Sequence, residues 1–270
     1  MNNISQLDYR DSGSGPAVVL LHDALMTPDS WDKQVPALLD AEFRIIIPDL
    51  SGLKGCEDLA SFSCAIIALL DKLGIGRFAV CGVGMGGSIS LALLEQYRHR
   101  IAGACFINTR AGSDDVHEKL KRAQLLSELS RGNDLSARED LLKMLLGGRE
   151  RHLTHAIRQS IKKIVSDYDA AALIENLKAI QKRDNYMGLL KDVRLPTMSI
   201  YGKNDMICHP GYSHIMVSQL PNCFAEIGLE GGHLLQIEQA AAVTSELVNF
   251  LTHIVPRRSK VKGGCSLMAA

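Results

Sequence analysis

The chain has 270 residues, with 30 lysines and arginines against 30 aspartates and glutamates, so its formal net charge is zero. This length is enough for one large domain or two small ones with a sizeable core. Because nucleic-acid binding requires a clear surplus of lysine and arginine, the charge balance argues against a nucleic-acid partner. The 46% hydrophobic and 22% charged fractions are typical of a globular domain rather than a disordered chain.

Targeting and membrane signals are missing from the sequence pattern. No run of roughly 18 or more apolar residues occurs, which predicts no transmembrane helix and no membrane partner. The first residues lack the basic and apolar regions of a secretory signal. The seven cysteines form no CxxC pair, so we expect single reduced thiols and a cytoplasmic protein. A monomer or homodimer is the default expectation.

Short, β-rich apolar runs alternate with segments of helical periodicity. Such runs are typical of a parallel sheet buried on both faces, and the alternation indicates an α/β fold built from βαβ units. The predicted strands, in chain order, are Ala17–Leu21, Phe43–Ile47, Phe78–Cys81, Ala104–Ile107 and Thr197–Tyr201. The predicted helices among them are Asp58–Leu73, Gly87–Gln96 and Ala240–Ile254.

Residues 113–190 interrupt this rhythm. They are rich in Lys, Arg, Glu and Leu at helical spacing, which predicts an inserted block of three or four helices. The chain is thereby divided into an α/β core (1–112 and 191–255), the insertion (113–190) and a basic, disordered tail (256–270). In the tail, Cys265–Met268 is similar to a prenylation box, but such a box must end the chain and two alanines follow it here.

The most informative segment is Phe78–Gly87, a strand followed by a glycine-rich turn and a helix. Gly82 and Gly86 stand two positions before and after Gly84, the spacing of the tight G-x-S-x-G nucleophile elbow. Glycine at residue 84 tolerates the strained turn but cannot form an acyl-enzyme. A dinucleotide loop fits these glycines less well, because no acidic residue ends the following strand, and we expect no cofactor.

Together with this elbow, further segments resemble the α/β-hydrolase fold superfamily, in family order and up to about residue 255. The resemblance implies a mostly parallel, twisted sheet flanked by helices, and it identifies residues 113–190 as a helical lid. The segments are Tyr9–His22 (first hairpin and oxyanion turn), Asp49–Gly55, Ile107–Ala111, Tyr201–Pro210 (triad acid) and Gly232–Glu238 (triad histidine).

Carried over residue by residue, the resemblance implies that Asp205 is the triad acid and His233 the triad base. Gly84 then stands at the vacant nucleophile position. The backbone N–H groups of Ala24 and Met85 would line the oxyanion hole. An intact His–Asp dyad could still act as a general base without a nucleophile.

The resemblance also implies a substrate pocket beside the oxyanion turn. Asp23 stands where the family usually has glycine, and its carboxylate would oppose negative charge on an oxyanion. His22 would order the turn. The predicted substrate-binding set is His22, Asp23, Met26, Trp31 and Met206, of which the last three could equally be core residues. We predict no metal site.

Three functions are compatible with these residues. The first is an enzyme acting on a small, largely apolar substrate, in which the dyad serves as general base for slow water-mediated hydrolysis or for lyase, cyclase or cofactor-free chemistry. The second is a non-catalytic protein that binds a ligand or partner. The third is a Ser→Gly knockout of an esterase- or lactonase-like serine hydrolase. A substitute nucleophile, Ser88 or Cys81, is a further alternative, although both residues are expected to pack in the core.

Overall fold

A computed structural model describes residues 7–51, 53, 55–149 and 152–255; the predicted disordered tail lies outside them. One seven-stranded sheet has the order β1-β3-β2-β4-β5-β6-β7. β1 is antiparallel to β3, and the remaining pairs are parallel. The strands are β1 (Tyr9–Ser12), β2 (Ala17–Leu21), β3 (Arg44–Pro48), β4 (Phe78–Val83), β5 (Ile101–Ile107), β6 (Thr197–Gly202) and β7 (Cys223–Leu229).

Helices cover the sheet and form a separate block between β5 and β6. None of those in the described ranges is long and apolar enough to cross a membrane. The α-helices are α1 (Val35–Asp40), α2 (Leu59–Lys72), α3 (Met85–Tyr97), α4 (Val116–Ser130), α5 (Asp134–Leu146), α6 (His155–Asp167), α7 (Ala170–Gln181), α8 (Met187–Leu190), α9 (Pro210–Gln219), α10 (Leu235–Glu238) and α11 (Ala240–Ile254).

The sheet is buried on both faces, as the apolar strands predict. In β2, Val19 and Leu21 belong to the core cluster that includes α2 and α3, whereas Val18 and Leu20 belong to the cluster that includes α11. Successive side chains of a strand point to opposite faces, so a strand between two helical layers is apolar throughout. The predicted mostly parallel sheet is confirmed.

Two strands differ from the prediction. Tyr9–His22 does not form a hairpin, because β3 lies between β1 and β2 in the sheet. The edge strand β7 had no strand prediction of its own. Its residues alternate between exposed and partly buried at first, so it lacks the continuous apolar run of the central strands.

The predicted helical insertion contains four long helices, α4 to α7, and the short α8. Their apolar faces form a third core cluster, separate from the two on the sheet. Leu25, from the loop after β2, and Leu234, from the loop after β7, belong to this cluster. The block therefore packs over the carboxyl ends of the strands, where ligands bind in open α/β sheets. Its action as a lid stays a prediction.

Candidate active site

The turn between β4 and α3 has the tight geometry that its glycines predict. Gly84 lies at this turn with φ 53° and ψ −111°, in the region that favours glycine. A Cβ on Gly82 would overlap the backbone of Gly86. The helix N-terminus thus lies directly beside Gly84, where its backbone N–H groups are available to an acceptor.

The loops after β6 and β7 bring Asp205 and His233 together. The distance from His233 Nδ1 to Asp205 Oδ2 is 2.7 Å, and both side chains are buried. Asp205 Oδ1 accepts hydrogen bonds from the N–H groups of Ile207 (2.8 Å) and Cys208 (2.9 Å). The carboxylate is therefore fixed on its own loop, and it orients the imidazole with Nδ1 as donor.

Two polar side chains hold the His233 loop in place. Asn108, at the end of β5 with φ 47°, donates from Nδ2 to the carbonyls of Gly232 and His233. Glu238 accepts from the Gly232 N–H at 3.0 Å and from Arg149 Nη1 at 2.6 Å. Because Arg149 follows α5, this ion pair ties the helical block to the histidine loop.

Asp23 occupies the space beside Gly84. Its Oδ1 accepts a hydrogen bond from the Met85 N–H at 2.7 Å. The Ala24 N–H also bonds to this carboxylate. A Cβ built on Gly84 would overlap the carboxylate, standing 2.6 Å from its Cγ and closer still to Oδ1. Both amides of the predicted oxyanion hole thus bind the chain's own carboxylate.

His233 lies between two carboxylates, since its Nε2 is 3.4 Å from Asp23 Oδ2. Burial alone would lower the pKa of His233, but Asp205 and Asp23 outweigh it and raise that pKa to about 10. Burial would raise the pKa of Asp23, but His233 and the two backbone N–H groups lower it below its usual value. At neutral pH His233 is therefore an imidazolium and Asp23 a carboxylate, and together with Asp205 they form the histidine cluster.

His22 orders the turn that carries Asp23. Its Nδ1 bonds to the Asp23 carbonyl at 2.9 Å, and its Nε2 bonds to the Leu50 N–H at 2.9 Å. A carbonyl can only accept and an N–H can only donate, so Nδ1 carries the proton and Nε2 does not. The neutral ring fixes the loop from within the core.

A cavity of about 110 Å³ lies between the sheet and the helical block. Asp23 and His233 line it from the loops, and apolar side chains close it from the block. These include Leu125 of α4, Leu141 of α5 and Leu177 of α7. The volume suits a small molecule rather than a long chain.

Three arginines line the same cavity and share one buried acid. Asp114 accepts from Arg122 Nε at 2.8 Å, from Arg183 Nη2 at 2.5 Å and from Arg110. Arg110 also pairs with Glu118. In this arginine cluster (Arg110, Arg122, Arg183, Asp114 and Glu118), three cations face two carboxylates, which leaves one positive charge uncompensated.

Comparison with known proteins identifies the family. The family model for the alpha/beta hydrolase fold matches residues 16–240. The chain belongs to the α/β-hydrolase fold family. A Pseudomonas 2-hydroxy-6-oxononadienedioate/2-hydroxy-6-oxononatrienedioate hydrolase is 23% identical over 258 residues, covering 91% of each chain. A Nitrosomonas europaea pimeloyl-(acyl-carrier protein) methyl ester esterase is 27% identical over 240 residues, covering 85% of this chain and 93% of the esterase.

Solved structures show the same fold. A thermophilic esterase from Thermogutta terrifontis superposes with a TM-score of 0.83 at 25% identity, covering 92% of this chain and 93% of the esterase. The enol-lactonase from Burkholderia xenovorans superposes with a TM-score of 0.82 at 22% identity, covering 91% and 96%. Relatives of this α/β-hydrolase fold chain are thus hydrolases and esterases by name.

Several predicted site residues of this α/β-hydrolase fold chain do not reach the cavity. Trp31 is fully buried in the cluster beneath β2 and β3, and Met26 packs under the helical block. Met206 is 68% exposed and does not line the cavity. His22 also lies behind it. Asp23 is the member of the predicted set that lines the cavity, and contact of the other four with a substrate stays a prediction.

The two alternative nucleophiles also lie outside the cavity. Cys81 is fully buried within β4. Ser88, one turn into α3, donates to the Gly84 carbonyl at 3.4 Å and accepts from Arg183 Nη1 at 3.3 Å. Both therefore have the packing roles that the sequence favours.

The arginine cluster and the two supports of the histidine loop were not predicted from the sequence. The insertion shows charged residues at helical spacing, and nothing in the chain marks Asp114 as a buried acid. The position of Asn108 could have indicated a site residue. It is a polar residue at the end of a buried parallel strand, and ligands bind at that end of the strands in α/β sheets.

Proposed function

We propose that this α/β-hydrolase fold chain is an enzyme that hydrolyses a small, carboxylate-bearing substrate without forming an acyl-enzyme at residue 84. The observation that carries the proposal is the buried hydrogen bond between His233 and Asp205 beside a cavity, next to a residue with no side chain. The names of the relatives, hydrolases and esterases, support the reaction class. Fold alone would not, since this fold supports many activities.

The arginine cluster supports a substrate with its own carboxylate. Arg183 Nε is buried and has no hydrogen-bond partner in the described part of the chain. Burial and the neighbouring Arg110 lower the pKa of Arg183 to about 10, although Asp114 opposes them. A ligand carboxylate in the cavity would compensate this charge, since Arg183 lines the cavity. One relative is named for a dioate, a dicarboxylate, which agrees with this class.

This substrate class revises the sequence prediction of a largely apolar ligand. Leucines do line the cavity, but they share it with three guanidinium groups. A substrate with a short aliphatic part and a terminal carboxylate fits both the leucines and the guanidinium groups of the lining.

The protonation state of His233 determines its role. The sequence predicts a general base, but a pKa raised to about 10 means that the free enzyme holds the imidazolium at neutral pH. Such a ring donates a proton rather than accepting one. We therefore assign His233 as the proton donor to the substrate oxygen, with Asp205 orienting it.

The contacts of Gly84 weigh against an engineered knockout. A serine at residue 84 would place its Cβ on the Asp23 carboxylate, so restoring that serine alone would not restore a conventional site. A non-catalytic binding protein remains the second candidate. It is favoured by one observation, the occupation of the Met85 N–H by Asp23.

The test is a panel of monomethyl esters of malonic, succinic, glutaric and adipic acids, followed by proton NMR. We expect the parent to hydrolyse at least one of them, and the dimethyl esters less well. His233→Gln should lose at least about 100-fold in rate, the usual contribution of a positioned acid or base. His214→Gln is the matched control, because His214 lies on the surface and pairs with Glu226.

The outcome separates the two candidate functions. Binding of the monoesters without turnover, in a folded parent protein, would favour the binding protein. Turnover that survives His233→Gln would contradict the assigned site.

A further inference from the structure

Resting on the proposed function, we propose that Asp23 is the catalytic base and that it works with His233 as an acid–base pair. In this arrangement the carboxylate of residue 23 takes over the place from which a side chain on residue 84 would act. The two departures from the family pattern, Asp23 and Gly84, are then one feature and not two independent losses.

The Asp23 carboxylate occupies the space that a side chain on residue 84 would need. Asp23 Oδ1 lies almost where the side chain of residue 84 would begin, so no side chain larger than hydrogen fits there while Asp23 holds its position. The carboxylate lines the cavity, and its other oxygen faces His233 Nε2 at 3.4 Å. A reacting group in the cavity would thus meet a carboxylate and an imidazolium side by side.

The two backbone amides of the predicted oxyanion hole are already occupied. The N–H groups of Met85 and Ala24 bind Asp23, which fixes the carboxylate and leaves neither amide free for a substrate oxygen. Negative charge that develops on the substrate therefore needs another donor. His233 supplies it, since its Nδ1 is bound to Asp205, its Nε2 lies 3.4 Å from Asp23, and its side chain lines the cavity.

Other titratable groups surround Asp23. They are Asp205 behind His233, Tyr168 at the end of α6, and Cys208 in the loop after β6. Burial raises the pKa of both Tyr168 and Cys208, so these two stay neutral at physiological pH. Asp23 is then the ionised acceptor that faces the cavity.

The reaction balances with these two groups alone. Asp23 takes a proton from water while the water oxygen forms a bond to the ester carbonyl carbon, and the carbonyl oxygen takes a proton from His233. The bond to the leaving alkoxide then breaks. The alkoxide receives the proton from Asp23, and the new carboxyl group returns a proton to His233. Ester and water become acid and alcohol, and both side chains regain their starting states.

The pair predicts a pH dependence opposite in sign to that of a histidine base. Asp23, with its lowered pKa, is ionised throughout the neutral range, so the rate should be flat there. The rate should fall above about pH 10, where His233 loses its proton. If His233 were the base, the rate would instead rise towards that pH.

The first experiment needs no substrate. In ¹⁵N-histidine NMR of the full chain, the His233 ring should be doubly protonated at pH 8. Asp23→Asn should lower its pKa by about 1–3 units, because one of two adjacent carboxylates is removed. Asp71→Asn, at an exposed pair with Arg100, should leave it unchanged. A neutral ring at pH 8, or no shift in Asp23→Asn, would overturn the proposal.

The second experiment measures turnover of monomethyl succinate. Asp23→Asn should reduce kcat by at least about 100-fold with KM within a factor of about three, whereas Asp23→Glu, which keeps the carboxylate, should recover part of the rate. Asp71→Asn should match the parent. An unchanged kcat in Asp23→Asn, or a rate that rises up to pH 10, would overturn the proposal.

A separate probe distinguishes failure of the pair from failure of the proposed function. Levulinate in heavy water exchanges its protons next to the ketone when a base removes one and an acid protonates the oxygen. Exchange that depends on Asp23, without ester hydrolysis, would refute the proposed hydrolase and support the pair. Absence of both activities would refute both.

Discussion

The histidine cluster and the arginine cluster border the same cavity but differ in charge balance. In the first, one imidazolium lies between Asp23 and Asp205, and backbone N–H groups bind both carboxylates. In the second, three guanidinium groups share Asp114 and Glu118, and one buried donor has no partner among the described residues. In the first cluster the imidazolium and backbone N–H groups already bind the carboxylates, whereas the second cluster has one more cation than it has anions.

This difference assigns separate roles to the two clusters. Buried ions are stable only when opposite charges and hydrogen bonds compensate them. A cluster whose carboxylates are already bound by the imidazolium and by backbone N–H groups can hold reactive groups in a fixed geometry before the substrate arrives. A cluster with one excess charge gains compensation when an anion binds, so it is suited to recognition. The following predictions test this division, from the largest expected effect to the smallest.

Asp114→Asn should give the largest loss of stability. The side chain is 1% exposed and pairs with three arginines, so its removal increases the excess of buried positive charge. We expect the free energy of unfolding to fall by about 3–5 kcal/mol in urea denaturation. Asp140→Asn is the control, because Asp140 pairs with Lys143 on the surface. A loss no larger than that of the control would mean that the cluster is not held by its shared acid.

Gly84→Ser tests whether the histidine cluster excludes a nucleophile. The substitution strains a left-handed backbone, at a cost of about 1–3 kcal/mol, and it also displaces Asp23. Gly74→Ser is the matched control, since Gly74 has φ 68° and open space around its Cβ position. We expect Gly84→Ser to lose more stability than Gly74→Ser and to remain unlabelled by a fluorophosphonate.

The double variant Asp23→Gly/Gly84→Ser completes this test. With the carboxylate gone, the amides of Met85 and Ala24 are free and the serine has room beside His233. We expect recovery of stability relative to Gly84→Ser alone, together with labelling by the fluorophosphonate. Equal labelling of the single and double variants would show that Asp23 does not block the position.

The stability of the histidine cluster should depend on pH in a defined direction. The pKa of His233 is raised from 6.5 to about 10, so its contribution is complete below pH 6.5 and is lost as the pH rises through 10. The pKa of Asp23 is lowered, so its contribution is complete above pH 3.8 and is lost as the pH falls below that value. Urea denaturation at pH 7 and pH 10 should differ by roughly 3–4 kcal/mol, and His233→Gln should reduce the difference. An unchanged difference in His233→Gln would trace it to other groups.

Local patterns in the sequence predicted the structural features that depend on residues close together in the chain. Continuous apolar runs predicted the central strands, and the glycine spacing predicted the turn at Gly84. The resemblance to the family paired His233 with Asp205, whose side chains do form a hydrogen bond. These features follow from short segments or from an ordered set of motifs.

Contacts between distant segments were not predictable in the same way. Asp23 was expected to disturb the oxyanion hole, but its bonds to Met85 and Ala24 depend on how two loops meet. Arg110 and Arg183 meet at Asp114 although 73 positions separate them in the chain. Trp31, for which the sequence left pocket and core equally open, packs in the core.

Succinate binding should give the smallest effect and the clearest separation of the two clusters. A carboxylate that accepts from Arg183 raises the free energy of unfolding by about 1.4 kcal/mol at ten times its dissociation constant, measurable as a higher Tm. Arg183→Gln should abolish the shift, and Arg44→Gln, whose arginine pairs with Asp11 away from the cavity, should preserve it. Asp23→Asn should also preserve it, because recognition and reaction are assigned to different clusters. A shift lost in Asp23→Asn but kept in Arg183→Gln would place the anion at the histidine cluster and reverse the assignment.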